Sequence, residues 1–276
     1  MKIGLIQTVT GPNKQDNLAK LEPLIRDAAR SGATLIVLPE GASQAFEQGR
    51  LDTQAEELDG PFATGLRQLA DELRVTLVAG MFRPADTVTT TKDGKTKVVN
   101  RVYNTALITG DGVHKGYDKI HTYDAFSYRE SDTVKPGRDL VTFVHEGAVV
   151  GVATCFDIRF PDQFQELAWR GARVVVVPTS WADGPNKLDQ WRALATARAL
   201  DTGMVIAAAG QARPDWEDKA GEPSGPTGLG HSIVVAPDGR TLAEAGYGEE
   251  IIVLDIDVDK VAEEQRKLPV VAAAKR

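Results

Sequence analysis

The chain has one cysteine, Cys155, in 276 residues, so no internal disulfide can form. Histidine is scarce: His114, His121, His145 and His231 are the full set. With no H-E-x-x-H pattern and no cysteine pair, the usual zinc-site spacings are absent. No G-x-S-x-G occurs, which removes the serine-hydrolase elbow. Positive charge is in deficit, with 32 Lys and Arg against 39 Asp and Glu, a net charge of −7. That balance argues against a nucleic acid or an anionic membrane as partner. No apolar run approaches the roughly 20 residues of a membrane span. The opening MKIGLIQTVTGP has too short an apolar stretch for a secretory signal and no small-residue cleavage site. It reads as a first strand, and a cytoplasmic protein is expected.

What is present is a regular alternation of strand and helix signals. Lys2–Thr8 is a short apolar strand, and Asn13–Ser31 places Leu18, Leu21, Leu24, Ile25 and Ala28 on one helical side until Gly32 stops it. Thr34–Leu38 is a continuous apolar run ended by Pro39, the pattern of a strand buried on both faces. A helix over Phe62–Leu73 and a strand over Val75–Phe82 follow. Val98–Thr109 and Val113–Tyr117 read as antiparallel strands turned at Gly110-Asp111-Gly112, and Lys92–Lys97 reads as a polar turn.

The second half repeats this order. Val149–Thr154, Val174–Val177 and Met204–Ala209 are strands, with helices over Pro161–Arg170 and Leu188–Asp201. KIGLIQT aligns with VVGVATC, TLIVLP with VVVVP, and YNTALITGDG with GHSIVVAPDG. Three matches in one order indicate an internal duplication, with pseudo-repeats of about 1–118 and 148–256 in a single domain spanning 1–276. Two such sheets packed together with helices outside predict an α/β fold, a four-layer α-β-β-α sandwich.

In α/β sheets chemistry gathers beyond the carboxyl ends of strands. There the sequence sets Glu40 after TLIVLP, Cys155 after VVGVAT, Lys119 after Val113–Tyr117, and Trp181 after VVVVPTS. A thiol is nucleophilic only as its thiolate. None of the four histidines is compelled toward Cys155, so a carboxylate raised by burial is the candidate base, and Glu40 fits. Lys119 would favour the thiolate and stabilise an oxyanion, with the Phe156 backbone N–H as second donor.

The motifs LIVLPEGA, YDKIHTYDAF and GVATCFDIRFPD, together with GHSIVVAPDG, resemble the nitrilase, or carbon–nitrogen hydrolase, superfamily over nearly the whole chain. The resemblance implies a Glu–Lys–Cys triad of Glu40, Lys119 and Cys155. It also implies Glu130 as a second glutamate beside the triad, the competing reading being a plain loop acid. No cofactor and no metal are implied, and the assembly implied is a homodimer or larger. Cys155-Phe156-Asp157 departs from the Cys-Trp-Glu of true nitrilases. It is similar to the Cys-Tyr-Asp-x-Arg-Phe-Pro of amidases acting on keto-acid amides, with Phe156 in place of tyrosine and Thr122 in place of a usual leucine.

The substrate so implied is a small anionic amide such as deaminated glutathione. An ω-amidase acting on α-ketoglutaramate is the alternative, along with a nitrile or N-carbamoyl hydrolase. A non-catalytic binding protein that kept the fold is the reading from a different class, and the intact triad argues against it. Arg159 reads either as a carboxylate clamp or as a structural arginine tied to Asp157. Trp181 reads either as a pocket wall or as core.

Overall fold

Residues 35–38 show why the apolar runs are continuous. In the computed structural model Leu35 and Val37 point into one buried layer, while Ile36 and Leu38 point into another. Val174 and Val176 alternate with Val175 and Val177 in the same way. A strand covered on both faces has no side left for a polar residue.

The structure describes residues 1–92, 95–125 and 128–274. Its strands are β1 (Lys2–Gln7), β2 (Leu35–Val37), β3 (Thr76–Lys92), β4 (Lys95–Gly110), β5 (Val113–Asp118), β6 (Asp124–Ala125) and β7 (Tyr128–Arg129). They continue as β8 (Thr142–His145), β9 (Ala148–Val152), β10 (Ala172–Thr179), β11 (Val205–Gly210), β12 (Ile233–Val235), β13 (Thr241–Glu244) and β14 (Glu250–Asp255). The helices are α1 (Lys14–Arg30), α2 (Pro61–Leu73), α3 (Pro161–Trp169), α4 (Lys187–Thr202), α5 (Trp216–Lys219), α6 (Val258–Lys267) and α7 (Val270–Ala274).

Two six-stranded mixed sheets form, ordered β14-β1-β2-β3-β4-β5 and β8-β9-β10-β11-β12-β13. In the first, β1, β2 and β3 are parallel and β4 and β5 antiparallel. In the second, β9, β10 and β11 are parallel and β12 and β13 antiparallel. Each carries one antiparallel strand, β14 or β8, on the matching edge. The two halves share one topology, and the sequence matches fall on equivalent strands. Helices α1 and α2 cover the outer face of the first sheet, and α3 and α4 that of the second. The faces left over pack on each other through Leu5, Val37, Val78, Val152, Val176 and Ala207, giving the four-layer sandwich.

Helix α1 is fixed by local signals. The Asn13 side chain accepts from the N–H groups of Gln15 and Asp16, and Leu21, Ile25 and Ala28 recur on the buried side. One strand runs further than expected from the sequence. β3 continues past Phe82, and the ladder shifts register between Pro84 and Thr87. A proline cannot donate to a ladder, and this irregularity accommodates it. The polar turn expected at Lys92–Lys97 includes residues 93 and 94, which lie outside the described residues. Among the described residues, no helix is long and apolar enough to cross a membrane.

The sheets are stitched together near the carboxyl ends of their parallel strands. Thr8 bridges Gln211. The Gln211 amide donates to Thr10 Oγ1 at 2.7 Å and to the Glu40 carbonyl at 3.0 Å. Gln7 Oε1 accepts from the Ser232 N–H at 2.7 Å. The segment after β2 is pinned in turn by β3: the Gly80 N–H donates to Pro39 at 3.0 Å, and the Ser43 N–H donates to Gly80 at 3.0 Å.

A Cβ on Gly80 would meet the Gly41 nitrogen at 2.5 Å and the Glu40 Cα at 2.6 Å, both backbone atoms. Gly80→Ala is therefore expected to lower stability by about 1–3 kcal/mol. Urea denaturation read by fluorescence measures this. An unchanged midpoint would mean that the 39–41 segment shifts freely.

Candidate active site

Glu40 lies three residues beyond β2 and is 1% exposed. Its Oε1 accepts from Asn104 Nδ2 at 2.7 Å and from Lys119 Nζ at 3.0 Å. Its Oε2 accepts from the Ser180 N–H at 2.8 Å. Lys119 follows β5 directly and also contacts Glu130, at 2.8 Å to Oε2 and 3.1 Å to Oε1. Glu130 opens the short turn after β7, where its Oε2 accepts from the Tyr123 N–H at 2.6 Å. It is 2% exposed, so the loop-acid reading falls: a buried carboxylate needs partners, and its partners are the ammonium, an amide and a backbone N–H.

Cys155 starts a single 3₁₀ turn, Cys155–Arg159, after β9. Its φ of 46° is left-handed, a conformation costing about 1–3 kcal/mol for a residue with a Cβ. Asp157 holds this turn. Its carboxylate accepts from the Thr154 N–H at 2.9 Å, the His121 N–H at 3.0 Å and the Tyr117 hydroxyl at 2.6 Å. The bend at the thiol is thus fastened to the segment that carries Lys119. The Cys155 thiol shares its cleft with the Glu40 carboxylate and Ser180, and the Glu40 charge acts on it. Glu40, Lys119, Glu130 and Cys155 all line one cleft that opens to solvent.

Burial pushes the Cys155 thiol well above its ordinary value, the Glu40 charge pushes it further, and Lys119 only partly opposes them. Lys119 thus favours the thiolate, as expected, while burial favours the thiol, which suits proton transfer to a base during attack. Burial also raises Glu40, against the pull of Lys119, which suits a proton acceptor. Burial alone would lower Lys119, yet Glu130 and Glu40 together hold it well above its ordinary value, so it stays an ammonium.

Phe156 lines the cleft, its ring edge-on to Tyr123 at 5.0 Å. Trp181 does both things expected of it: it walls the cleft and packs on Trp191 at 5.2 Å. Arg159 is not tied to Asp157, whose carboxylate is engaged elsewhere. Its guanidinium lies 5.1 Å over the Trp181 ring and donates to Gln190 at 2.8 Å, facing the cleft.

The sequence reading missed two groups. Lys187, the first residue of α4, lines the same cleft; partial burial and then the Arg159 charge lower its pKa. A lysine there opposes the helix dipole, a signal that could have drawn notice. Asn104, inside β4, gave no signal beyond a polar residue in an apolar strand. The YDAF segment ends at Phe126, outside the described residues.

Comparison with known proteins agrees with this arrangement. Residues 2–266 match the carbon–nitrogen hydrolase family. A Mycobacterium tuberculosis hydrolase is 43% identical over 98% of this chain and 94% of its own length. The human omega-amidase NIT2 is 32% identical over 98% of this chain and 93% of its own. The crystal structure of Saccharomyces cerevisiae Nit3, a nitrilase-superfamily member, superposes with a TM-score of 0.79 at 27% identity, covering 98% of this chain and 94% of that one. The chain belongs to the carbon–nitrogen hydrolase family, within the nitrilase superfamily.

Proposed function

We propose that the protein hydrolyses the linear amide of a small anionic acid, through a thioester on Cys155. The observation that carries this reading is the meeting of a buried carboxylate, a buried ammonium and the chain's one thiol at a single cleft. As Cys155 Sγ attacks the amide carbonyl, its proton passes to Glu40. The oxyanion sits between Lys119 Nζ and the Phe156 N–H. The C–N bond breaks, the amine leaves with the proton from Glu40, and a thioester remains. Water then attacks that thioester, giving a proton to Glu40. The C–S bond breaks, the acid departs, and Cys155 recovers its proton. Glu130 acts on Lys119, holding the ammonium in place by two contacts.

Two cations support an anionic substrate. Arg159 and Lys187 line the cleft that holds the carboxylate cluster, and Arg159 donates to the neutral Gln190 amide. A substrate carboxylate would pair with the guanidinium bidentately. The Cys155-Phe156-Asp157-Ile158-Arg159 context favours a keto-acid amide, with deaminated glutathione the first substrate to test. The likeness to human omega-amidase favours a second reading, α-ketoglutaramate.

Cys155→Ala is expected to lower turnover by about 10³-fold or more with the fold retained. Intact mass spectrometry of the native protein, quenched during turnover, should find an acyl adduct on Cys155. Near-normal turnover by the variant would remove Cys155 from the mechanism. Deaminated glutathione, α-ketoglutaramate and a simple nitrile, assayed side by side, decide the substrate.

Arg159→Met and Lys187→Met should each raise KM for an anionic amide about tenfold or more and leave kcat within about threefold. A neutral amide of similar size serves as control. An equal loss on both amides would mean that these cations do not read the substrate's charge.

A further inference from the structure

Two carboxylates held in one buried site tend to share a proton, because both cannot ionise side by side without compensation. Glu40 and Glu130 are such a pair. Lys119 supplies one positive charge against two negative ones. A proton shared between the carboxylates would balance the remainder, and it would leave Glu40 unable to accept the proton of Cys155.

Asn104 bridges the two carboxylates. Its Nδ2 donates to Glu40 Oε1 at 2.7 Å and to Glu130 Oε1 at 3.0 Å, committing both amide hydrogens. Lys119 Nζ bridges the same two oxygens at 3.0 and 3.1 Å. The four atoms close a ring in which donors and acceptors alternate. The Asn104 carbonyl also accepts the Lys119 backbone N–H at 2.8 Å, so one residue touches every member of the cluster. The orientation of the amide follows from chemistry: the flipped form would set its oxygen against two acceptors. Its Oδ1 finds no partner among the described residues. A buried acceptor left bare is a cost that an apolar residue at this position would avoid. The donor side of the amide is what the site uses.

We propose that Asn104 is a positioning residue that keeps the Glu40 and Glu130 carboxylates from sharing a proton and reserves Glu40 Oε2 for the proton of Cys155. With Oε1 saturated by two donors, Oε2 is the oxygen left to act, and the Ser180 N–H fixes its direction. The titratable groups facing Glu40 are Lys119 after β5, Glu130 after β7, Cys155 after β9 and the Tyr128 phenol of β7. Of these, Glu130 is the one that can share a proton with a carboxylate at this position.

The proposal rests on Glu40 as the base, and its test needs no substrate. Cys155 is the sole cysteine, so iodoacetamide reports on it alone. Its alkylation rate in the native chain should rise with pH through an inflection set by Glu40. In Asn104→Ala that inflection should move up by about one pH unit, making alkylation about tenfold slower below it. Asn104→Ser, which keeps one hydroxyl donor, should move it the same way and covers the case in which the alanine variant misfolds. The double variant N104A/E130Q has no second carboxylate to share the proton, and its inflection should return toward that of the native chain.

An inflection unmoved in the folded single variants would overturn the proposal, whatever happens to turnover. So would a double variant that stays as shifted as the single one. If the shifts appear while no amide in the panel is hydrolysed, the substrate reading fails and the role of Asn104 stands.

Discussion

The structure depends on a buried ammonium held between two buried carboxylates. Glu40, Lys119 and Glu130 are each at most 2% exposed. Desolvating three charges is expensive, and their attraction repays it only when the geometry is good. Such a cluster adds little to net stability, yet removing Lys119 leaves two buried carboxylates without their counter-charge, at a cost of about 3–5 kcal/mol. The fold is therefore committed to this arrangement more than it is stabilised by it. These three charges, with Asn104 and Cys155, come from five different stretches of chain: beyond β2, within β4, beyond β5, after β7 and beyond β9. Face-to-face packing of the two sheets is what assembles them, and the Gln7 and Gln211 side chains hold that packing in register next to Glu40.

The cleft carries two kinds of charge. The carboxylates, the ammonium and the amide form one hydrogen-bonded set. Arg159, over the rings of Phe156 and Trp181, and Lys187 add two cations to the same lining, which also includes Cys155. Clustered cations in a cleft favour an anionic ligand there.

Much of this was legible in the sequence. Strands buried on both faces announce themselves as unbroken apolar runs, and the repeat of TLIVLP as VVVVP fixed the pairing of halves. Glu40, Lys119 and Cys155 were visible because each follows a strand at a break in apolar pattern. Asn104 was not, because its importance lies in two hydrogen bonds to residues 64 and 26 positions away. No local pattern encodes such distances. How strongly burial opposes Lys119 at the thiol was not legible for a related reason. A lysine is easy to see in a sequence, whereas the desolvation that outweighs it exists only once the layers close. The extension of β3 past Pro84 was hidden because a proline reads as a strand end unless the ladder shifts register there.

The left-handed bend that presents Cys155 also closes the protein over its sulfur, leaving that residue 8% exposed. Peroxide and other oxidants act on thiolates, and the first step of that ladder is slow for a protonated sulfur. Burial and a raised thiol pKa both slow that step at Cys155. Because the chain has no second cysteine, an oxidised sulfur there could not be resolved through an internal disulfide.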